Sequence, residues 1–301
     1  SAYSNAIVID NTLTIDSNAT LDIEGQNLTT ATLTNNGNLQ LQGGETVAIS
    51  TMDTNSGTVT YDGTGTYTQL AAGDAYYNLT LNSSGSITLD ADLEVDGALT
   101  ITDGTLDVSS NNRSIDVAGN WSNSDTFISR SGTVTFDGSS TVTTGGIVAD
   151  TNDFHDVILS GTSATQSTND IDIDGDFTIS SSGTWDTKGL CIFFSNTTTL
   201  TLGSGTLINP IPTLSSSSPT DGATGVVGTA NIVLTFSEAV DVESGNIILY
   251  KSSDGSTVET IAVTNSKVTG TGTTTITINP SATLASSTGY YLNIAATAFD
   301  D

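Results

Sequence analysis

Residues 56–63, SGTVTYDG, return almost unchanged as residues 131–138, SGTVTFDG, and no other feature constrains the fold of this chain as tightly. The copies begin 75 residues apart. Residues 91–101 (ADLEVDGALTI) and 169–179 (NDIDIDGDFTI) superpose their hydrophobic, Asp and Gly positions at a spacing of 78. Residues 78–81 and 156–159 share that spacing, with Tyr76 matching Phe154. Two long units laid end to end are therefore expected, each made of short strands separated by Gly, Asn, Asp and Ser. Stacked units of this kind share a core that none of them buries alone.

Within the units, apolar residues recur with period two. Leu13/Ile15, Leu21/Ile23, Leu39/Leu41, Val47/Ile49, Val59/Tyr61, Leu79/Leu81, Leu99/Ile101 and Val134/Phe136 are such pairs, and Ile192/Phe194 and Leu200/Leu202 continue them. Strand geometry sends these to one face and the intervening Thr, Asp, Glu and Gln to the other. Breakers such as Asn36-Gly37, Gly43-Gly44, Asp96-Gly97 and Asp174-Gly175 arrive every few residues, and no helix of useful length is legible. A β-sandwich would show a limited set of strands and then a boundary. Here strand and turn alternate without a linker as far as residue 208, and they repeat. The reading is a parallel β-helix over residues 1–208, with small aliphatic side chains stacked inward. Trp121, Trp185, Phe127 and Tyr67 interrupt the regular pattern. They are read as filling wider corners or an end of the solenoid, because their spacing is too uneven for an exposed ligand-binding ladder.

The chain has 301 residues with 33 acidic against 5 basic, a formal charge of −28. Phosphate backbones are repelled by such a surface, so nucleic acid is excluded as a partner. Solubility is favoured, as is cation binding at calcium-rich extracellular sites. Cys191 is the one cysteine, so no disulfide framework exists within a single chain, and it reads as a small buried hydrophobe beside Ile192. No signal peptide is legible at Ser1, and no apolar run approaches the roughly 20 residues that span a bilayer. Asn18, Asn27, Asn78 and Asn196 head Asn-x-Ser/Thr triplets, which permit glycosylation without demanding it. Regular threonine arrays that would suit ice are not expected, because T-x-T pairs occur irregularly among acids.

The phrases SGTVTYDGTGTYTQL, YYNLTLNSSGSITLDADLEVDGALTITDGTLDV and AGNWSNSDTFISRSGTVTFDGSS resemble repeats of long secreted bacterial proteins of the adhesin or filamentous-haemagglutinin type. That resemblance implies a parallel β-helix and an extracellular, cell-surface setting, and it brings no catalytic motif.

Repetition stops at residues 209–220, NPIPTLSSSSPT, and residues 209–217 are read as a short extended linker. Beyond it, Ile232, Leu234 and Phe236, then Ile276 and Ile278, then Tyr290, Leu292 and Ile294 each alternate as the buried side of a strand. This supports a β-sandwich over residues 218–301. SPTDGATGV, LTFSEAVD, ITINPSATL and GYYLNIAATAFDD resemble the bacterial immunoglobulin-like domain of surface-layer proteins and adhesins. Members of that family continue with a further strand, so the sandwich is expected either to be cut at Asp301 or to receive its last strand from a neighbour. The stretch 5–15, NAIVIDNTLTI, has the alternation of a donor strand and equally that of a first solenoid coil.

Chemistry is sparse. His155 is the one histidine and is read as structural, since no positioned acid or nucleophile motif accompanies it. Asp172, Asp174 and Asp176 alternate with apolar residues, which places them on one outer face as solvating groups or a cation site. A calcium site is expected at a pole of the sandwich, where Asp221, Glu238, Asp241, Asp300 and Asp301 would supply oxygen ligands from several loops. No other cofactor is implied. The resulting reading is an extracellular structural or adhesive segment without chemistry of its own, whose partners are neighbouring copies or further domains of the same surface protein, or glycans or a host or cell surface. The alternative is a carbohydrate-active β-helix with an accessory sandwich, using paired carboxylates for acid–base work.

Overall fold

A computed structural model describes residues 6–145, 154–180, 182–194, 199–209 and 212–300. The fold is all-β. Two compact units are present, Ser1–Thr187 with Cys191–Ile208, and Lys188–Leu190 with Asn209–Asp301.

The first unit is a parallel β-solenoid. Each turn of chain lays short strands directly over those of the turn before, in register. Thr58–Tyr61 lies between Asn38–Leu41 and residues 78–81, and the same sheet continues through residues 99–101 and Trp121–Asn123. The stack builds a 12-stranded sheet and a seven-stranded sheet, with a three-stranded sheet at the N-terminal end. Because successive side chains alternate, register converts period-two sequence into columns. Val59, Leu79, Leu99 and Trp121 form one buried column. Tyr76, Val95, Val117, Phe136, Leu159 and Ile179 form another on the seven-stranded sheet. Neighbouring members of a column sit about 4.8 Å apart, and burying each contributes roughly 1.5–3 kcal/mol.

The aromatic residues lie inside this core. Trp121 meets Phe127 edge-on at 4.9 Å and Phe154 at 5.1 Å, Phe136 meets Trp185 at 5.7 Å, and Trp185 meets Phe177 at 5.0 Å. Such pairs add about 0.5–1.5 kcal/mol each beyond their burial. Tyr67 is half-buried and lies against Gly43 and Gly65, where a Cβ would come within 2.8 Å and 2.7 Å of its ring. Glycine has a second use at one corner. A Cβ on Gly161 would lie 2.2 Å from the carbonyl oxygen of Gly138 on the preceding turn, and one on Gly183 would lie 2.4 Å from that of Gly161. Hydrogen alone fits between turns there.

Three expectations are corrected. First, the long repeat is not a stack of equivalent units. Thr58–Tyr61 belongs to the 12-stranded sheet, whereas its near-copy Thr133–Phe136 belongs to the seven-stranded one. Between them the chain completes three turns on the first sheet and then advances to the next face. Asp156–Leu159 is displaced from residues 78–81 in the same way. A strand with two inward apolar residues and a glycine corner fits either face, so the repeat need not keep step with the coil.

Second, the inward pairs near residue 200 are not covered. Phe194, Leu200 and Leu202 are 40%, 44% and 46% exposed, because their strands close the stack and, among the described residues, no further solenoid turn is laid over them. Cys191, on the same last turn, is half-buried rather than buried.

Third, the stretch read as a linker is a strand from Leu214 onward. Leu214–Ser218 runs antiparallel to Ile232–Val242, with Leu214 opposite Phe236 and Ser217 opposite Leu234. A sheet edge asks mainly for backbone pairing, and a short polar strand supplies it while blunting the edge.

The second unit is an Ig-like β-sandwich of a five-stranded sheet and a three-stranded sheet, all antiparallel. Leu234, Val240, Ile247, Ile261, Ile276 and Ile278 form its core. Phe299–Asp300 pairs with residues 241–242. At the other end of the chain, Ala6–Ile15 pairs in parallel with Asn27–Asn35, so the stretch considered as a donor strand is a solenoid coil here. Asn5 lies outside the described residues.

Candidate functional site

Asn and Asp gather at solenoid corners, where the strand ladder is interrupted and a backbone N–H of the next turn needs a partner. Asn27 Oδ1 accepts from the Thr46 N–H at 2.8 Å, Asn78 from Ala98 at 2.8 Å and Asn120 from Thr141 at 2.9 Å. Asp156 accepts from Asp176 at 2.7 Å, Asp170 from Cys191 at 2.8 Å, and Asp176 from Thr199 at 3.0 Å. Asn78 also donates from Nδ2 to the Gly57 carbonyl at 2.9 Å, so one amide ties three turns together. These side chains are structural fasteners. Nδ2 of Asn78, the atom a glycan would join, is engaged with the Gly57 carbonyl, Asn18 stands exposed with φ 65°, and Asn196 lies outside the described residues.

Asp172, Asp174 and Asp176 do not share one face. Asp172 sits on the strand Ile171–Ile173, and the chain then bends, so Asp174 and Asp176 flank the corner that leads to Phe177–Ile179. His155 Nδ1 lies 3.0 Å from Asp156 Oδ1, the same oxygen that accepts from Asp176 N–H. That contact is part of the corner fastening.

A group of four carboxylates lies on the seven-stranded sheet. Glu94 stands directly opposite Asp116, and Asp96 and Asp137 follow at the strand ends. Burial, and then Asp116, Asp137 and Asp96, push the Glu94 carboxyl above its ordinary value. Burial, with Asp116 and Asp96, does the same to Asp137. Elsewhere Asp107 is held below the usual carboxylate range by the Arg130 guanidinium, whose Nε and Nη2 donate to its two oxygens at 2.5 Å and 2.7 Å. Tyr61 is pushed up to about 12 by burial, and its hydroxyl lies 3.0 Å from that of Tyr76. Both hydroxyls are enclosed by backbone partners at Ala72 and Gly73.

The calcium ligands expected in the sandwich do not converge. Asp241 and Asp300 stand opposite each other on paired strands, and Thr271 Oγ1 donates to Asp241 Oδ1 at 2.7 Å. Glu238 is buried with its carboxylate against Gly189, whereas Asp241 is exposed further along the same strand. Asp221 is exposed in a turn, and Asp301 lies outside the described residues. Among the described residues, no group of three or more His, Cys, Asp or Glu is placed to hold a metal ion.

One surface was missed by sequence reading. The outer side of the three-stranded sheet carries Tyr250 and Tyr291 opposite each other, their rings stacked at 5.1 Å with an interplanar angle of 19°. The signal was present in GYYLNIAA: if Tyr290 and Leu292 turn inward, Tyr291 must turn outward.

The fold is thus a parallel β-solenoid followed by an Ig-like sandwich, an architecture consistent with an extracellular structural role. Residues 209–301 match the family model described as Bacterial Ig-like domain. No curated protein matches the chain, and no solved structure matches it. Among the described residues no helix is long and apolar enough to cross a membrane.

Proposed function

We propose that this chain is an extracellular structural and adhesive segment of a bacterial cell-surface or filament protein, with no chemistry of its own. The observation that carries the reading is the use made of the polar residues. Corner Asn and Asp side chains are committed to backbone N–H groups of the next turn, while the inward columns are filled by apolar and aromatic side chains. A scaffold maintained turn by turn in this way is suited to holding surfaces in place. Its charge of −28 supports solubility and steers the protein away from nucleic acid.

Partners in this reading are further domains or neighbouring copies of the same surface protein, together with glycans. The calcium role contracts to the Asp241–Asp300 pair, where like charges oppose each other across two strands and a divalent ion would relieve the repulsion. Antibodies raised against the purified chain test the location: they should label unpermeabilised cells or the culture medium of the producing bacterium. Labelling that appears only after lysis would refute it.

The carbohydrate-active alternative has one observation in its favour, the adjacent Glu94 and Asp116 with the Glu94 carboxyl raised. Release of reducing ends from a panel of polysaccharides, lost in Glu94→Gln, would establish that alternative in place of a purely structural role.

A further inference from the structure

We infer that the outer face of the three-stranded sheet in the Ig-like unit is a binding platform for a neutral polysaccharide chain, with Tyr250 and Tyr291 as its stacking surface. This inference rests on the adhesive reading above and names a ligand class and a site for it.

The face is built by alternation. On Asn246–Lys251, Ile247 and Leu249 are buried, which turns Ile248 and Tyr250 outward. On Tyr290–Ile294, Leu292 and Ile294 pack on the core, so Tyr291 and Asn293 face solvent. On Thr257–Ala262, Thr257 and Thr260 are exposed while Ile261 is buried. Register then aligns these residues in two rows. Thr260, Ile248 and Asn293 form one, and Thr257, Tyr250 and Tyr291 form the other.

Three properties of these rows point to sugar. None of the six residues is charged, in a chain with 33 acidic residues. Tyr291 is 48% exposed and braced by Tyr250 at 5.1 Å, so a rigid aromatic surface is offered at small entropic cost. Beside it, the Asn293 amide and the Thr260 hydroxyl supply donors and acceptors on the same face. An apolar strip flanked by uncharged hydrogen-bonding groups matches the alternation of C–H faces and hydroxyls along a glycan. A protein partner would call for a larger apolar patch, and Ile248 is the one aliphatic residue in the two rows. Polyanionic glycans are disfavoured by the −28 charge. The surface is a sheet face rather than a pocket, so a polymer that lies across both rows is a better occupant than a single sugar.

Native affinity electrophoresis of the full chain tests this, using gels cast with hydroxyethyl cellulose, galactomannan or dextran, and with alginate as the polyanion. Retardation is expected in at least one neutral gel and not in alginate. Tyr291→Ala and Tyr250→Ala should each weaken the affinity about tenfold, and Tyr291→Phe, which keeps the ring, should stay near wild type. Melting curves of each variant confirm that the sandwich is folded. Absence of retardation in every neutral gel overturns the proposal, as does equal retardation of the Tyr250→Ala/Tyr291→Ala double variant or preference for alginate. Sedimentation provides one further arm: self-association of the full chain that Tyr291→Ala abolishes would assign the face to a second copy instead. None of these outcomes bears on cell-surface labelling, so the platform and the surface location fail independently.

Discussion

Replacing Asn78 by Ala should weaken the solenoid out of proportion to the three atoms removed. The amide accepts from the Ala98 N–H of the following turn at 2.8 Å and donates to the Gly57 carbonyl of the preceding turn at 2.9 Å. Each such bond has a net worth of about 0.5–1.5 kcal/mol, and the Ala98 N–H, half-buried, loses its partner. The expected cost is therefore about 1–3 kcal/mol, which for a unit of this size lowers Tm by roughly 3–10 °C. Asn120→Ala removes a single, exposed bond to Thr141 and should cost about 0.5–1 kcal/mol. Asn82→Ala is the control, at an exposed strand position whose side chain makes no turn-to-turn bond among the described residues, and should fall within about 0.5 kcal/mol of wild type. Both tryptophans, Trp121 and Trp185, are buried in the solenoid, so their fluorescence follows this unit and not the sandwich during thermal or urea unfolding. An Asn78→Ala variant as stable as Asn82→Ala would refute the fastening role of corner amides. So would a larger loss in Asn120→Ala than in Asn78→Ala.

Mild acidification should stabilise the solenoid before stronger acid destabilises it. Glu94 and Asp137 have folded pKa values above the ordinary range, so as pH falls through those values the folded state takes up protons first and gains stability. Asp107 is depressed, so its contribution is present above the ordinary carboxylate value and is lost as pH falls through the lower folded value. Glu94→Gln with Asp137→Asn should shrink the initial rise, and a stability that falls monotonically from neutral pH in the wild type would contradict the assignment. Trp121→Ala removes a fully buried ring that contacts Phe127 and Phe154, with an expected loss of about 3–5 kcal/mol in urea unfolding. Gly161→Ala should destabilise strongly although its φ is unremarkable, because the added Cβ would lie 2.2 Å from the Gly138 carbonyl; an unchanged melting curve would show that the turns can part there. Millimolar calcium should raise the melting transition of the sandwich in wild type and not in Asp241→Asn, and no shift in wild type would remove the ion from the Asp241–Asp300 pair.

Most of the inward residues were legible because period-two alternation and stacking obey the same geometry. Leu39/Leu41, Leu79/Leu81 and Val134/Phe136 are buried as their spacing requires. Leu200/Leu202 carry the same local pattern and are half exposed, since burial of a solenoid strand depends on the next turn as much as on its own residues. Chain composition drew attention to carboxylates as sites. Many of them instead serve corners, and Asp156, Asp170 and Asp176 could not be told from solvating acids until the next turn was laid beside them. The expected calcium ligands are dispersed, among the described residues, for a related reason. Glu238 and Asp241 are three positions apart on one strand, yet one is buried and the other exposed, which proximity in sequence conceals. The tyrosine face was derivable from that same alternation, but attention to the apolar side of GYYLNIAA hid the exposed one.

The displacement of the long repeat has a consequence for where function can reside. SGTVTYDG and SGTVTFDG place the same inward residues on two different sheets, so the strand motif itself carries no address. Whatever distinguishes one face from another must then come from outward residues, and these do differ. At the outward position flanked by the two inward residues, Thr60 aligns with Thr80 and Thr100 in the 12-stranded sheet. The equivalent position in the second copy, Thr135, aligns with Asp116, and Asp116 with Glu94. Along this row the 12-stranded sheet continues with Gln40 and Ser122, whereas the seven-stranded sheet carries the Glu94–Asp116 carboxylates and then Thr135, Ile158 and Thr178. A repeat that drifts around the coil lets its core be copied freely while each face collects its own surface chemistry. Exchanging residues 58–61 with 133–136 tests this directly. The swap alters one core pair, Tyr61 for Phe136, and leaves every outward residue unchanged, so the solenoid should fold with a loss of about 2–5 kcal/mol, from the lost Tyr61 hydroxyl bonds to Tyr76 and Ala72 and from the new hydroxyl buried among the rings at position 136. Failure of the exchanged chain to fold would mean that the two faces impose different demands on the strand after all.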